Sequence, residues 1–305
     1  MPVRSTSSKA FWEATATIPS GLEEKFSPIL LDHFGPAVTS YTDFETGRTT
    51  VGIYLQKKDQ WNPELIQKIA AIWERVRPSR EMRFPTFQLK RVRPRDWAES
   101  WKRHFKVIRI GNTLQVCPPW VKIRVPRDCK VVVLEPGLSF GTGQHPTTAF
   151  CLNEIVRCRK FASSFLDAGT GSGILAIAAA RLGFAQIEAF DFDPEAIRIA
   201  RGNASRNSVA RQIRFAVRNV AKLARTGTKF DLICANLIAN VLVAHRDALL
   251  SRLSRNGTIV LAGILKTEFI AVQRHFEAAG LRLVRSKALK EWRSGSFMFQ
   301  QLPRK

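Results

Sequence analysis

The chain has 305 residues, 48 Lys and Arg against 25 Asp and Glu, and a formal charge of +23. Its hydrophobic content of 45% is that of a soluble globular protein, and no apolar run reaches the roughly 18 residues of a membrane span. The N-terminal MPVRSTSSKAFWEA lacks an apolar signal core, so the chain reads as cytoplasmic with no membrane partner. Cys117, Cys129, Cys151, Cys158 and Cys234 are scattered without a C-x-x-C pair, and the five histidines make no ligand cluster. Both facts argue against a disulfide framework and a metal site.

AFWEATATI, from Ala10, alternates as a strand. A helix is expected from near Ser20 through GLEEKFSPILLDHFG, with Ser20 and Glu23 or Glu24 as a capping signal and Gly35 as the stop. VTSYTDF and TTVGIYLQ read as a hairpin about ETGR. Asn62-Pro63 opens a second helix, PELIQKIAAIWERV, and FPTFQLKRV reads as a strand. The order βαββαβ is that of a ferredoxin-like α+β domain. Cations crowd between Arg75 and Arg109 and face few acids. A field of that sign attracts polyanions, ribosomal RNA foremost; a solvated basic surface accounts for it equally well. RVRPRDWAESWKRHF reads as a connector in which Asp96 caps a helix carrying Trp97 and Trp101 one turn apart.

Residues 106–135 alternate as VIRIGNTLQVCPPW, VKIRV and KVVVLEP, a short β arm ahead of the main fold. In PGLSFGTGQHPTTAFCLNEIV, Gly141 and Gly143 flank a turn, and Thr147 and Thr148 start a helix running to about Arg157. Hydroxyls and unpaired N–H groups at a helix start make a polar ligand pocket, and a plain capped helix explains the stretch as well. His145, beside this start, reads either as a base or as a loop-ordering hydrogen bond.

The most informative stretch is SFLDAGTGSG, Ser164 to Gly173. An apolar run ends in Asp167, glycines follow at 169, 171 and 173, and ILAIAAARLG reads as a helix stopped at Gly183. Glycines at a strand-to-helix turn let backbone approach a ligand closely. Asp191, about 20 residues past the glycines, has the spacing at which an acid meets a ribose hydroxyl. A dinucleotide fingerprint reads G-x-G-x-x-G; here the third glycine comes one residue early and an aspartate precedes the first. That variant resembles the opening motif of the Rossmann-like S-adenosylmethionine-dependent methyltransferases.

Beyond Asp193 the rhythm is α/β: a helix from Pro194, strands IRFAVRN and FDLICAN, a helix over LIANVLVAHRDALLSRL, strand GTIVLAG, helix KTEFIAVQRHFEAAG, and an antiparallel pair LRLVRSKALKEW and SGSFMFQQL. Such alternation predicts a doubly wound sheet with its crevice at the strand carboxyl ends, where Asp167, Asp191 and Asn236 all fall.

DWAESWKRHF, FGTGQHPTTAFCL, LDAGTGSGILAIAAARLG, DFDPEAI, ANLIANVL and GTIVLAGIL together resemble the ribosomal protein methyltransferases that modify protein eleven of the large ribosomal subunit. The glycine motif is common to many methyltransferases; FGTGQHPTT and ANLIAN are far more specific. The resemblance implies a Rossmann-like methyltransferase domain over 106–305, a ferredoxin-like substrate-recognition domain over 1–90 and a helical connector over 91–105. It implies S-adenosyl-L-methionine as cofactor and N-methylation of lysine and/or N-terminal amines of protein eleven. Thr148 resembles a cofactor-contacting threonine, Gly169 lies against the cofactor's amino-acid part, and Asp191 resembles the ribose-binding carboxylate. Asn236 resembles the asparagine beside the methyl group and the incoming amine. Asp167, Gly171 and Gly173 complete the expected cofactor-binding set. The alternatives are an RNA methyltransferase and a non-catalytic ribosome-binding protein. Adenine amino-methylating enzymes carry N-P-P-aromatic after the fourth strand, and ANLI lacks both the prolines and the ring.

Overall fold

The computed structural model describes residues 11–34, 38–43, 46–92, 107–134, 145–223 and 227–300. The chain divides into two compact units, Met1–Lys106 and Val107–Lys305.

The first unit runs β1 (Phe11–Pro19), α1 (Glu23–Phe34), β2 (Val38–Asp43), β3 (Arg48–Leu55), α2 (Pro63–Val76) and β4 (Gln88–Val92). Its sheet has the order β2-β3-β1-β4 with antiparallel neighbours, the split βαβ arrangement. Period-two alternation buries Ile18, Val51, Ile53 and Leu55 against Phe26 and Leu30 of α1 and Ile69, Ile72 and Trp73 of α2. Asn62 caps α2, its Oδ1 accepting the Leu65 N–H at 2.9 Å with Pro63 at the first helical position. Two local expectations need correction. Ser20 lies inside a 3-10 turn, Ser20–Leu22, and Glu23 accepts from the Ser40 hydroxyl at 2.8 Å, so strand β2 takes the acid that a capping box would use. The last strand starts at Gln88, not at Phe84. The expected connector, with Asp96, Trp97 and Trp101, lies outside the described residues but for its first two.

The second unit opens with β5 (Ile108–Ile110), β6 (Leu114–Cys117) and β7 (Lys130–Val133), a separate three-stranded sheet. VKIRV forms no strand. The sheet is no free arm. Ile110, Leu114, Val116 and Val132 share one core with α3 (Pro146–Cys158) and α4 (Ile174–Arg181). The Asn207 amide holds Val133 by both its N–H and its carbonyl, each at 2.7 Å.

The main sheet contains β8 (Ser164–Ala168), β9 (Gln186–Asp191), β10 (Ile213–Val217), β11 (Phe230–Asn236), β12 (Leu253–Leu265), β13 (Leu281–Leu289) and β14 (Trp292–Phe299). Their order is β10-β9-β8-β11-β12-β14-β13, parallel except that β14 runs against both neighbours. Between them lie α5 (Pro194–Arg206), α6 (Ala239–Ala244), α7 (Arg246–Leu250) and α8 (Lys266–Glu277). Buried on both faces, the central strands read as nearly continuous apolar runs rather than alternating ones. The single helix expected over 237–253 is two: the chain leaves helical geometry at His245 (φ −115°, ψ 18°), and Arg246 turns to donate to the His275 carbonyl at 2.9 Å. The chain steps outward from β8 to β9 and β10 on one side and returns through β11 on the other. That reversal makes the carboxyl end of β8 the switch point, where open α/β sheets bind ligands.

Candidate functional site

Register brings three strand tips level. Asp167 pairs with Ala189 on β9 and with Cys234 on β11, and Ala168 pairs with Phe190 and Ala235. One residue further, Gly169, Asp191 and Asn236 therefore stand side by side. Hydrogen bonds tie the tips together. The Gly169 and Thr170 N–H groups both donate to the Phe190 carbonyl, at 2.9 and 3.0 Å, and the Leu237 N–H donates to Ala262 at 3.0 Å.

The glycines are set by geometry. Gly169 has φ +77°, and a Cβ there would lie 2.5 Å from Leu237 Cδ2. Gly173, with φ +83°, is the residue before the first turn of α4, and its Cβ would meet Ala200 of α5 at 2.9 Å. Left-handed backbone and close approach both demand the missing side chain. Gly171 directs its N–H to Asp191 Oδ2 at 2.9 Å. The Asn203 amide fixes the loop from below, donating to the Ser172 carbonyl at 2.9 Å.

Three carboxylate and hydroxyl groups give the site its character. Asp191 is 8% exposed; Oδ2 accepts from Gly171, and Oδ1 accepts from the Asp193 N–H at 3.1 Å. Each oxygen keeps further acceptor capacity. Asp167 is fully buried. Its Oδ2 accepts from Thr170 Oγ1 at 2.7 Å and from the Ala176 N–H at 3.1 Å, while Oδ1 has no partner among the described residues. Burial pushes this carboxyl up to about 7, against the pull of those two hydrogen bonds and with a smaller push from Asp191. Thr148, 1% exposed in the first turn of α3, also has a hydroxyl with no partner among the described residues. Buried polar atoms are nearly always paired, and these are two of the seven with no hydrogen-bond partner among the described residues.

Asn236 ends β11 half-buried, followed by half-buried Leu237 and by Ile238, which is 64% exposed. Gly263, φ +80°, adjoins it: a Cβ there would stand 2.8 Å from the Leu237 carbonyl and 3.1 Å from Asn236 Oδ1. Sequence reasoning passed over Gly263. Its signal was a glycine closing the apolar strand GTIVLAG, which marks a close backbone approach.

His145 does the work of a cap. Nδ1 stands 2.6 Å from Thr147 Oγ1 and accepts weakly from the Thr147 N–H at 3.4 Å. The ring meets Trp292 edge-on at 4.9 Å. Burial lowers its pKa to about 4, partly countered by Glu291, so the ring is neutral at physiological pH. Trp292 is a second site neighbour that no sequence pattern singled out. Gly141 and Gly143 lie outside the described residues. Cys151, Cys158 and Cys234 are fully buried, and burial pushes the Cys158 thiol up to about 11, so they pack rather than react. Among the described residues no group of three or more His, Cys, Asp or Glu forms a metal cage, and no helix is long and apolar enough to cross a membrane.

The family described as ribosomal protein L11 methyltransferase (PrmA) matches residues 10–299. A protein named ribosomal protein L11 methyltransferase from Pelotomaculum thermopropionicum is 35% identical over 227 residues, covering 74% of this chain and 72% of that protein. One of the same name from Trichlorobacter lovleyi is 40% identical over 204 residues, covering 65% and 66%. Among solved structures, the ribosomal protein L11 methylase of Lactobacillus delbrueckii subsp. bulgaricus is 30% identical, with a TM-score of 0.59 over 64% of this chain and 99% of that one. A match across nearly the whole sequence, on a sheet whose tips converge as they do here, means that the chain belongs to the ribosomal protein L11 methyltransferase family.

Proposed function

We propose that this chain transfers methyl groups from S-adenosyl-L-methionine to lysine side chains and/or the N-terminal amine of ribosomal protein L11, the substrate in its family's name. The observation that carries the proposal is the meeting of Asp167, Gly169, Asp191 and Asn236 at the switch point of the sheet.

The residues present fit such a donor. It offers a ribose diol, an ammonium and a sulfonium. Asp191 has acceptor capacity for a diol, the orphaned Asp167 Oδ1 and Thr148 Oγ1 offer buried polar partners, and Gly169, Gly171 and Gly173 let backbone lie against the ligand. When bound, S-adenosylmethionine supplies a methyl carbon already activated by its sulfonium. The chain therefore needs no nucleophile of its own, and its contribution is alignment. Asn236 Oδ1 accepts an N–H of the incoming amine and aims its lone pair. A free lysine has a pKa near 10.4, and desolvation between Ile238, Leu237 and the strand tips favours the neutral amine that reacts. An exposed aliphatic Ile238 suits the alkyl stem of lysine and gives a flipped base no ring to stack on, which favours a protein over an RNA substrate. His145 serves as the cap of α3, not as a base.

In this reading residues 1–90 grip the protein substrate, 91–105 connect, and 106–305 catalyse. The basic stretch from Arg75 to Arg109 contributes a contact to ribosomal RNA. The test is incubation with labelled donor and dissociated ribosomes. Label in ribosomal protein L11 alone, on amines, supports the proposal; label in RNA, or none despite donor binding, overturns it.

A further inference from the structure

The positive charge is not spread evenly. Between Glu195 and Asp231 lie 35 residues without one Asp or Glu, the longest such interval in the chain, and they hold nine Lys and Arg. Four of them, Arg201, Arg211, Arg214 and Arg218, lie at the β10 edge of the second unit. Helix α5 lies against β10, the edge strand of the main sheet, and Arg201 of α5 donates to the Phe215 carbonyl of β10 at 3.1 Å. Arg211 precedes β10, Arg214 lies within it and Arg218 follows it. Arg201, Arg211, Arg214 and Lys222 are exposed, and Arg218 is half-buried.

Few carboxylates answer this charge. Glu195 pairs with Arg198, and Glu188 approaches Arg214 at 3.5 Å. Arg201, Arg211, Arg218 and Lys222 have no carboxylate within 4.0 Å among the described residues. A merely solvated face mixes its signs, and α8 does so, with Lys266 and Arg274 set among Glu268 and Glu277. Crowded like charges repel and weaken the compact state, which leaves a partner as the reason to keep them.

The face itself says which partner. A protein interface needs an apolar centre, yet Val217, at one end of the strip, is the only large apolar side chain exposed in this interval among the described residues. Within the interval no aromatic ring is exposed among the described residues; Phe192, 74% exposed, follows β9 beside the Arg218 end of the strip, and stacking on a single ring tolerates any base. A phosphodiester backbone asks only for cations in line. Arg211 stands in the 3-10 turn Ala210–Gln212 ahead of β10, and from Arg214 to Arg218 extended chain covers roughly 13 Å at about 3.3 Å per residue, the length of about four phosphates along one strand. We infer that the edge of the sheet formed by β10, where Arg211, Arg214 and Arg218 stand with Arg201 of α5 beside them, binds the phosphodiester backbone of RNA without regard to base sequence. The inference does not depend on which atom is methylated, and it lies apart from the basic stretch of the first unit in sequence.

The test uses the full chain and a short RNA hairpin of mixed sequence, with fluorescence anisotropy between 50 and 200 mM salt as rough limits. The variant Arg211→Ala/Arg214→Ala/Lys222→Ala should bind about tenfold or more weakly, with a salt dependence shallower by about two to three in log–log slope. A second variant, Arg255→Ala/Lys266→Ala/Arg274→Ala, removes the same charge from exposed positions elsewhere in the unit and should bind as the wild type does. Methyl transfer to free ribosomal protein L11 should be unchanged in both, so failure here is distinguishable from failure of the proposed reaction. Equal losses in the two variants reduce the effect to net charge and overturn the inference. So does a wild-type chain that ignores the hairpin but binds anionic vesicles or an acidic protein.

Discussion

Asp231, near the start of β11, and Asp167, near the end of the neighbouring β8, share a side chain and little else. Asp231 Oδ2 accepts from the N–H and hydroxyl of Ser163, at 2.9 and 3.1 Å, and from the N–H and hydroxyl of Ser164, at 3.1 and 2.9 Å. The Ser164 hydroxyl oxygen in turn accepts the Asp231 N–H at 2.9 Å. Burial alone raises this carboxyl, and the hydrogen bonds from Ser163 and Ser164 outweigh it and hold it below its usual range. Asp167 receives two hydrogen bonds on one oxygen and none on the other, and burial wins. The amino end of the sheet is thus a finished joint. At the carboxyl end Asp167 Oδ1 is left without a partner among the described residues, which suits the proposed donor site. Substitutions at the two ends should separate stability from binding and turnover.

The largest effect is expected at Asn236. Asn236→Ala removes the group proposed to orient the amine, and misplacement of this order costs about 100-fold in rate. Calorimetry should find donor affinity unchanged and thermal melting should find the fold intact. Wild-type turnover in this variant would remove Asn236 from the mechanism. Next comes the other end: Asp231→Ala strips four donors of their acceptor and should lower stability by about 2–3 kcal/mol in urea unfolding, with the methylation rate of the folded fraction untouched. A variant with wild-type stability but impaired donor binding would reverse the contrast between the ends. Asp191→Ala follows, weakening donor binding by about 1.5–3 kcal/mol, the range for a hydrogen bond to a charged group; unaltered affinity in a titration would sink the ribose assignment.

What the sequence disclosed of all this follows from distance along the chain. Asp167, Gly169 and Asp191 lie within one strand–turn–helix–strand unit, so their spacing alone placed them at adjoining tips. Asn236 needed the α/β rhythm as well, since β11 joins β8 only after the sheet reverses. Contacts that span the fold left no local trace. Asn207 grips Val133 across 74 residues, which turned an expected arm into part of the core. Asp231 meets Ser163 across 68. The break at His245 was equally hidden, because both halves of 237–253 are helix-forming and only the reach of Arg246 to His275 distinguishes them.

The smallest effect per unit concerns pH, and here Asp167 is set against His145. The Asp167 carboxyl rises from 3.8 unfolded to about 7 folded. Between those values the folded chain holds a proton that the unfolded chain has lost, so stability falls with rising pH, by up to ~1.4 kcal/mol per unit. His145 drops from 6.5 unfolded to about 4 folded. Between those values the unfolded chain holds the extra proton, so stability rises with pH by up to ~1.4 kcal/mol per unit. The two slopes offset from about pH 4 to 6.5, and the wild type should show a flat contribution there in urea unfolding. Asp167→Asn should leave the rising slope, and His145→Gln the falling one. Donor affinity adds an independent reading: ionised Asp167 attracts a cationic ligand, so binding should tighten as pH rises through about 7 in the wild type and not in Asp167→Asn. Profiles that stay parallel in all three proteins would mean that neither buried group titrates in this window, and the contrast between a satisfied and an unsatisfied aspartate would then rest on hydrogen bonds alone.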